Sequence, residues 1–418
     1  MKKRINAVNS ALLLTRSKMQ VLRFVLGFIL FLVNEAVAQE QRILNLIETI
    51  ALAKQNNSDL KIADKEIEKQ MLLMKTSFQA DPLQIQYQGG QFNSAYFDHN
   101  ISVQQYFPIG QLPKANKELQ QQLAVLAEKR KALTEFELEK AVTLAYYQCL
   151  YGLEIQKLQV ELNSIYTKFL KNAELRHRTG ESAEIEVISA KAKVQEIETQ
   201  IAQLSNDIQI YQKQLQFFVQ SKDEIVPSSE VALQYTPQLV PSHDKVQSLV
   251  GDYFSAQIQV YQKEAAIFQA SRAPRLGVGY FAQTIDKEWL FQGFTAGLQL
   301  PLFGGVNKTK AKASEISAEQ VSMEAEKQQL TMKLQQERLY NDFEKQQKAV
   351  DYYKNEALQW AQKIIESSQK SYANGDLSYW AYISFLNQAI DIKKQYVETL
   401  NKYNQSAIAL QFPIFNLN

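Results

Sequence analysis

Two rhythms of apolar positions run along this chain, and they occur in the same order twice. From Leu44 to Ala80, Ile47, Ile50, Ala53, Leu60 and Ile67 recur at helical spacing among polar residues. Leu83, Ile85 and Tyr87 then alternate with Gln84, Gln86 and Gln88, and Ile101 and Val103 alternate with Ser102 and Gln104. A period of two is that of strands, so this region predicts a β-hairpin over 83–107. The order repeats with a helix over Val246–Ala270. In the hairpin that follows (275–301), Leu276, Val278 and Tyr280 alternate with Gly277 and Gly279, and Phe294, Ala296, Leu298 and Leu300 with Thr295, Gly297 and Gln299.

A very long helix follows each hairpin. Lys114–Arg178 holds no proline and only Gly152, and Val306–Asn374 holds neither proline nor glycine. Runs of about 65–70 residues reach roughly 100 Å at 1.5 Å per residue. Gly180 and Gly375 end them, as left-handed glycines end helices. In the returning helix Val194, Ile197, Ile201, Leu204, Ile208, Tyr211, Leu215 and Phe218 are spaced by three and four, a coiled-coil seam. Each glycine therefore marks the tip of a long antiparallel helical hairpin.

The landmarks match in pairs. Pro82 and Pro274 are 192 residues apart, Pro108 and Pro301 193, Gly180 and Gly375 195, and Ile188-Ser189 and Ile383-Ser384 again 195. Four pairs in one order argue for an internal duplication of one helix–hairpin–helix unit. The first repeat spans 39–220 and the second 244–418. Between them, 221–243 holds Pro227, Pro237 and Pro241 and reads as a loop-rich connector.

The N-terminus adds a destination. Lys2, Lys3, Arg4, Arg16 and Lys18 precede an apolar run, Val21–Val33, broken by Arg23, and Ala36-Val37-Ala38 offers small residues for cleavage. Residues 1–38 thus read as a secretory signal peptide, with the true start at Met1 or Met19. The alternative, a membrane anchor, has a run shorter than the roughly 20 residues a spanning helix needs. These residues carry six Lys or Arg and one Glu, so without them the formal charge falls from +2 to −3. The basic balance belongs to the leader, and nothing points to nucleic acid. Cys149 is the only cysteine, so no disulfide forms within one chain, and a buried structural thiol is expected.

Exported strands that alternate in this way suit a membrane barrel with one lipid-facing and one lumen-facing side. Four strands are too few to close one, so either they form a soluble sheet or several chains contribute. Tyr87, Phe92, Tyr96, Phe97, Tyr106 and Phe107 around the first hairpin, and Tyr280, Phe281, Trp289, Phe291 and Phe294 around the second, suit the membrane–water boundary. They would equally fill the core of a soluble sheet. Catalysis finds little support. His99, His177 and His243 lie far apart at no metal-ligand spacing, and Gly89-Gly90 and Gly304-Gly305 do not form a phosphate-cradling turn.

Several segments, in this order, resemble the TolC family of outer membrane efflux proteins. They are Asn56-Asn57-Ser58-Asp59-Leu60 with Ile62–Met74, Phe107-Pro108-Ile109-Gly110, Arg178-Thr179-Gly180-Glu181-Ser182, and Gly297-Leu298-Gln299-Leu300-Pro301-Leu302-Phe303-Gly304-Gly305. The resemblance covers nearly all of the chain after residue 38. It implies a mainly α fold with a membrane β-barrel portion. Long coiled-coil helical hairpins carry four transmembrane strands per chain, and three chains make a trimeric α/β barrel of twelve strands. It further implies a passive channel in the outer membrane, extending into the periplasm, whose helix tips meet a periplasmic adaptor (a membrane fusion protein) and an inner-membrane pump. No cofactor and no enzymatic activity are implied. Gly279–Asp286 and Phe291–Phe294 look most like members that work with heavy-metal pumps of the resistance-nodulation-division class.

On this resemblance Thr179, Gly180, Glu181, Asn374, Gly375 and Asp376 are expected at the tips, facing the adaptor, or are simply solvated turn residues. Many members constrict the tunnel with carboxylates just after the second tip. The matching Ala381 and Ser384 are not acidic, whereas Glu184 and Glu186 follow the first tip. These glutamates are expected as pore-entrance charges or as an ordinary solvated helix face. Pro108, Gly110, Pro301 and Gly304 are expected at the strand–helix junctions. The competing reading is a soluble periplasmic coiled-coil scaffold or adaptor.

Overall fold

A computed structural model describes residues 41–228, 231–237, 242–301 and 305–413. The signal peptide expected over 1–38 and the junction residue Gly304 lie outside the described residues.

The chain starts with a short strand, β1 (Gln41–Leu44), followed by α1 (Leu46–Asn56) and α2 (Ser58–Leu73). The single helix expected over 44–80 is therefore two. Asn57 takes a non-helical conformation (φ −56°, ψ 128°) between them. Its buried side-chain oxygen accepts the backbone N–H of Asp59 at 2.8 Å and of Leu60 at 3.3 Å, capping α2. Upstream, Asn45 and Glu48 form a reciprocal capping box at the start of α1. A 3₁₀ turn, Met74–Thr76, ends this segment, and the first hairpin follows as β2 (Gln84–Gly90) and β3 (Asp98–Pro108).

The long helix α3 runs 67 residues, Leu112–Arg178, and α4 (Glu184–Val219) returns along it. The predicted seam holds. Val194, Ile197, Ile208 and Leu215 are buried, with Ile201, Leu204, Tyr211 and Phe218 half-buried between them. Gly152 lets the two helices approach. A Cβ there would stand 3.0 Å from Cγ1 of Ile208 and 3.2 Å from the Tyr211 ring.

The connector is more structured than its prolines suggest. β4 (Glu224–Pro227) pairs in parallel with β1, burying Ile225. The Tyr146 hydroxyl donates to the Leu44 carbonyl at 3.0 Å. Asn404 accepts the N–H of Tyr235 at 2.8 Å and donates to the carbonyl of Leu233 at 2.7 Å. The connector is thereby tied to the last helix of the chain.

The second repeat follows as α5 (Ser242–Ala270), β5 (Arg275–Ile285), β6 (Glu288–Gln299), α6 (Gly305–Tyr352), α7 (Leu358–Ala373) and α8 (Tyr379–Gln411). One π turn, Tyr353–Ala357, joins α6 to α7 inside what the sequence reads as one uninterrupted helix. The helices line up as the strands above them do: α2, α3, α5 and α6 lie beside one another in that order. Two cores hold them. Tyr146, Leu133, Leu215, Leu400 and Ile408 centre the one near the connector, and Tyr166, Ile197 and Leu386 the one toward the tips. Among the described residues no helix is long and apolar enough to cross a membrane.

Candidate channel-forming sheet and helix tips

Both hairpins join one antiparallel sheet in the order β2-β3-β5-β6. Its middle pairing, β3 with β5, ties the two repeats together over nine residue pairs from Asn100↔Gln283 to Pro108↔Arg275. Residues opposite one another share a face, so the register sorts the side chains. Ile85 faces Val103, Val103 faces Tyr280, and Tyr280 faces Phe294; two rows along on the same face, Phe107, Leu276 and Leu298 align. This apolar face is unpartnered: Ile85 is 71% exposed, Phe294 88% and Leu298 62%. A contiguous exposed apolar face spanning four strands marks a surface that meets lipid or protein. The opposite face carries Gln84, Gln86, Asn100, Ser102, Gln104 and Gln283.

Glycines on that polar face make room for rings. A Cβ on Gly277 would lie 2.6 Å from the Tyr106 ring, and one on Gly293 would lie 2.7 Å from the Phe281 ring. Both rings lie flat against backbone, the packing that lets aromatics cover strand glycines. β5 turns into β6 through Asp286 (φ 53°) and Lys287 (φ 67°), the two left-handed residues of a tight hairpin turn. The longer β2–β3 loop is held by buried Asp98, which accepts the backbone N–H of Asn93 at 3.0 Å and of Ser94 at 2.9 Å. The Lys287 ammonium sits 3.8 Å over the Tyr96 ring and joins the two loops.

At the other end of the strands the junction residues fall where the sequence put them. Pro108 closes β3 and Gly110 turns into α3 with φ 84°, a conformation that favours glycine. Pro301 follows β6 and is exposed. Sequence reasoning missed the group that locks this end. Arg275 Nη1 contacts both carboxylate oxygens of Asp81, while the Asp81 N–H donates to the carbonyl of Tyr106 at 2.9 Å.

Both tips close by the same hydrogen bonds. Gly180 N–H donates to the carbonyl of His177 at 3.0 Å and Glu181 N–H to that of Arg176 at 2.8 Å. In the second repeat Gly375 donates to Tyr372 at 3.1 Å and Asp376 to Ser371 at 2.9 Å. Each is a Schellman motif, with its glycine at φ 79° or 83°. Thr179, Glu181, Glu184, Asn374 and Asp376 are exposed around these turns, and Glu186 is half-exposed. Glu184 and Glu186 sit in the first turn of α4, where helix amides favour negative charge. Ser384 is exposed and Ala381 half-buried in the first turns of α8.

The two tips also hold each other. Arg176 Nη1 donates to the Tyr372 hydroxyl at 3.1 Å, and the Tyr166 hydroxyl donates to Asn387 Oδ1 at 2.6 Å. Phe169 stacks on Tyr379 at 4.0 Å with 14° between planes, and Tyr372 on Tyr382 at 4.7 Å with 12°. The Tyr372–Tyr382 stack lies within the second tip, whereas the other three pairs join residues some two hundred apart in sequence, so no local pattern announces them. Burial pushes the Tyr166 and Tyr379 phenols above their usual range, so both stay neutral. Among the described residues no group of three or more His, Cys, Asp or Glu side chains could hold a metal ion.

A four-stranded sheet mounted on two long helical hairpins is the fold implied by the resemblance to the TolC family. Solved structures carry the same fold. A structure of CusC, described in terms of transmembrane channel formation, superposes with a TM-score of 0.69 at 15% identity, covering 90% of this chain and 94% of that one. The outer membrane protein VceC from Vibrio cholerae gives 0.67 at 14% identity over 87% and 94%. The Campylobacter jejuni CmeC outer membrane channel gives 0.66 at 12% identity over 88% and 85%. No family model and no curated protein sequence matches the chain.

Proposed function

We propose that the protein is the outer-membrane channel subunit of a tripartite efflux system. It conducts cargo passively from a periplasmic adaptor and an inner-membrane pump to the exterior. The observation that carries this reading is the sheet: one face is apolar and exposed across all four strands, yet among the described residues β2 and β6 have no strand partner on their outer sides. Unpaired backbone is costly in hydrocarbon, so such a sheet enters a bilayer only when copies join edge to edge into a closed barrel. Three copies would supply twelve strands. β3, β5 and β6 have 11, 11 and 12 residues, long enough to cross at a steep tilt. In such an assembly the β6–α6 edge of one copy would meet the β2–α2 edge of the next, a reading supported by the order of strands and helices.

The helix tips lie at the far end of the long hairpins from the sheet. Thr179, Gly180, Glu181, Asn374, Gly375 and Asp376 are assigned there as the adaptor-facing turns, with Glu184 and Glu186 as charges at the pore entrance. Energy comes from the pump, and the channel needs no cofactor. The likeness to CusC favours pumps of the resistance-nodulation-division class, including those that move heavy metals.

Purified protein in planar bilayers tests the reading. The expected result is stepwise single-channel conductance from a heat-sensitive oligomer that detergent extracts from the outer membrane. A water-soluble elongated species without conductance would mean a periplasmic scaffold instead.

A further inference from the structure

Along the middle of the strands the polar face is lined by uncharged side chains, amides foremost. Gln84 lies across from Gln104, Gln86 from Ser102, and Gln88 from Asn100, which faces Gln283 on its other side. Tyrosines aside, the ionisable residues of the four strands are Asp98, His99, Arg275 and Glu288, and each stands within two residues of a strand end. Two of them are compensated where they stand. Asp98 is buried against the loop amides of Asn93 and Ser94, and Arg275 is clasped by Asp81. From Asn100 to Gln104 on β3, and at every residue facing that stretch on β2, β5 and β6, no side chain carries a formal charge.

In an oligomer each of these rows becomes a ring. A ring of carboxylates or ammonium groups concentrates counter-ions and repels co-ions. A ring of amides presents donors and acceptors in equal measure, so it favours neither sign. Of the aromatic members of the face, Tyr106 and Phe281 pack over Gly277 and Gly293, while Phe291, opposite Gln283, is exposed and uncharged.

We propose, resting on the channel reading above, that the passage through the sheet is an uncharged, amide-lined bore. It admits neutral and zwitterionic organic molecules without an electrostatic barrier and leaves ion selectivity to groups outside the sheet. Gln104 lies mid-strand on this face and is the point at which added charge acts most directly.

The test is the reversal potential of reconstituted channels in a potassium chloride gradient at low ionic strength, where charges are least screened. Wild type is compared with Gln104→Glu and Gln104→Lys, and with Gln86→Glu should either fail to assemble. The expected result is a cation-to-anion permeability ratio that rises by about twofold or more with the carboxylate and falls by a similar factor with the ammonium. Asp98→Asn, which removes a carboxylate buried in the β2–β3 loop at the strand end and away from the Asn100–Gln104 stretch, is expected to leave the ratio unchanged. Intact conductance with a ratio indifferent to both Gln104 variants and to Gln86→Glu would overturn the proposal. So would a wild-type selectivity that collapses in Asp98→Asn. Absence of conductance in the wild type would overturn the channel reading itself, a separate outcome.

Discussion

Arg275 and Asp81 meet across the duplication, one guanidinium nitrogen lying 2.5 and 2.6 Å from the two carboxylate oxygens. Asp81 stands just before Pro82 at the approach to the first hairpin, and Arg275 just after Pro274 at the start of the second. The pair therefore fixes the height of one hairpin against the other where the sheet begins. The Asp81 carbonyl also accepts from Gln105 at 3.1 Å, which adds β3 to the clasp.

Breaking this pair should loosen the sheet before the helices. Arg275→Ala is expected to cost about 1–2 kcal/mol, a modest value because the arginine is partly exposed. The check is the temperature at which oligomers dissociate on semi-native gels. The reversed pair, Asp81→Arg with Arg275→Asp, should recover part of the loss, and no recovery would show that the charges are not coupled.

Gly279 and Gly297 should respond differently to the same change. A Cβ at Gly279 would lie 2.7 Å from the carbonyl oxygen of Val103 and 2.5 Å from Thr295 Oγ1, so backbone must move. Gly279→Ala is expected to cost about 1–3 kcal/mol through overpacking. At Gly297 the nearest atom is the end of the Gln104 side chain at 3.8 Å, and alanine should be tolerated. Equal thermal stability of the two variants would contradict this account.

The tip glycines are needed for conformation and not for space, since nothing lies within 4 Å of a Cβ at Gly180 or Gly375. Alanine at either should cost about 1 kcal/mol, and asparagine less because it tolerates the left-handed region. Hydrogen exchange should report faster opening at the substituted turn while exchange in the sheet stays the same.

Cys149 should be chemically silent in the folded protein. It is fully buried, and burial pushes its thiol from an ordinary value of 9 up to about 12. The folded state holds the proton more tightly than the unfolded chain, so this contribution is present below pH 9 and is lost as pH rises toward 12. Thiol reagents at pH 8 should label Cys149 at the rate of unfolding. Rapid labelling under native conditions would mean that the α3 core is open.

The periodic elements were legible because their signals are local. Both hairpins, both long helices, the seam of α4 and the two turning glycines are written in spacings of two, three and four. What escaped depends on single side chains or on distant partners. Asn57 splits one apparent helix because its amide caps the next. The β1–β4 clasp joins four-residue strands separated by most of the first repeat. Arg275–Asp81 and the stack of Phe169 on Tyr379 link the repeats through space alone. Ala381 lies in the first turn of α8, where a proline would remove only the 3.3 Å bond from its N–H to the Ser378 hydroxyl.

The π turn at Tyr353–Ala357 bears on how a doubled gene can drift without deforming its product. The spacing between equivalent landmarks grows from 193 residues at the prolines that close the hairpins to 195 at the turning glycines, so the second limb is two residues longer than the first. A turn closed from i to i+5 takes up one residue more than an α turn. It absorbs half of the surplus as a local bulge instead of added reach, like slack taken in at a single stitch. Two limbs of unequal length thereby come closer to ending level.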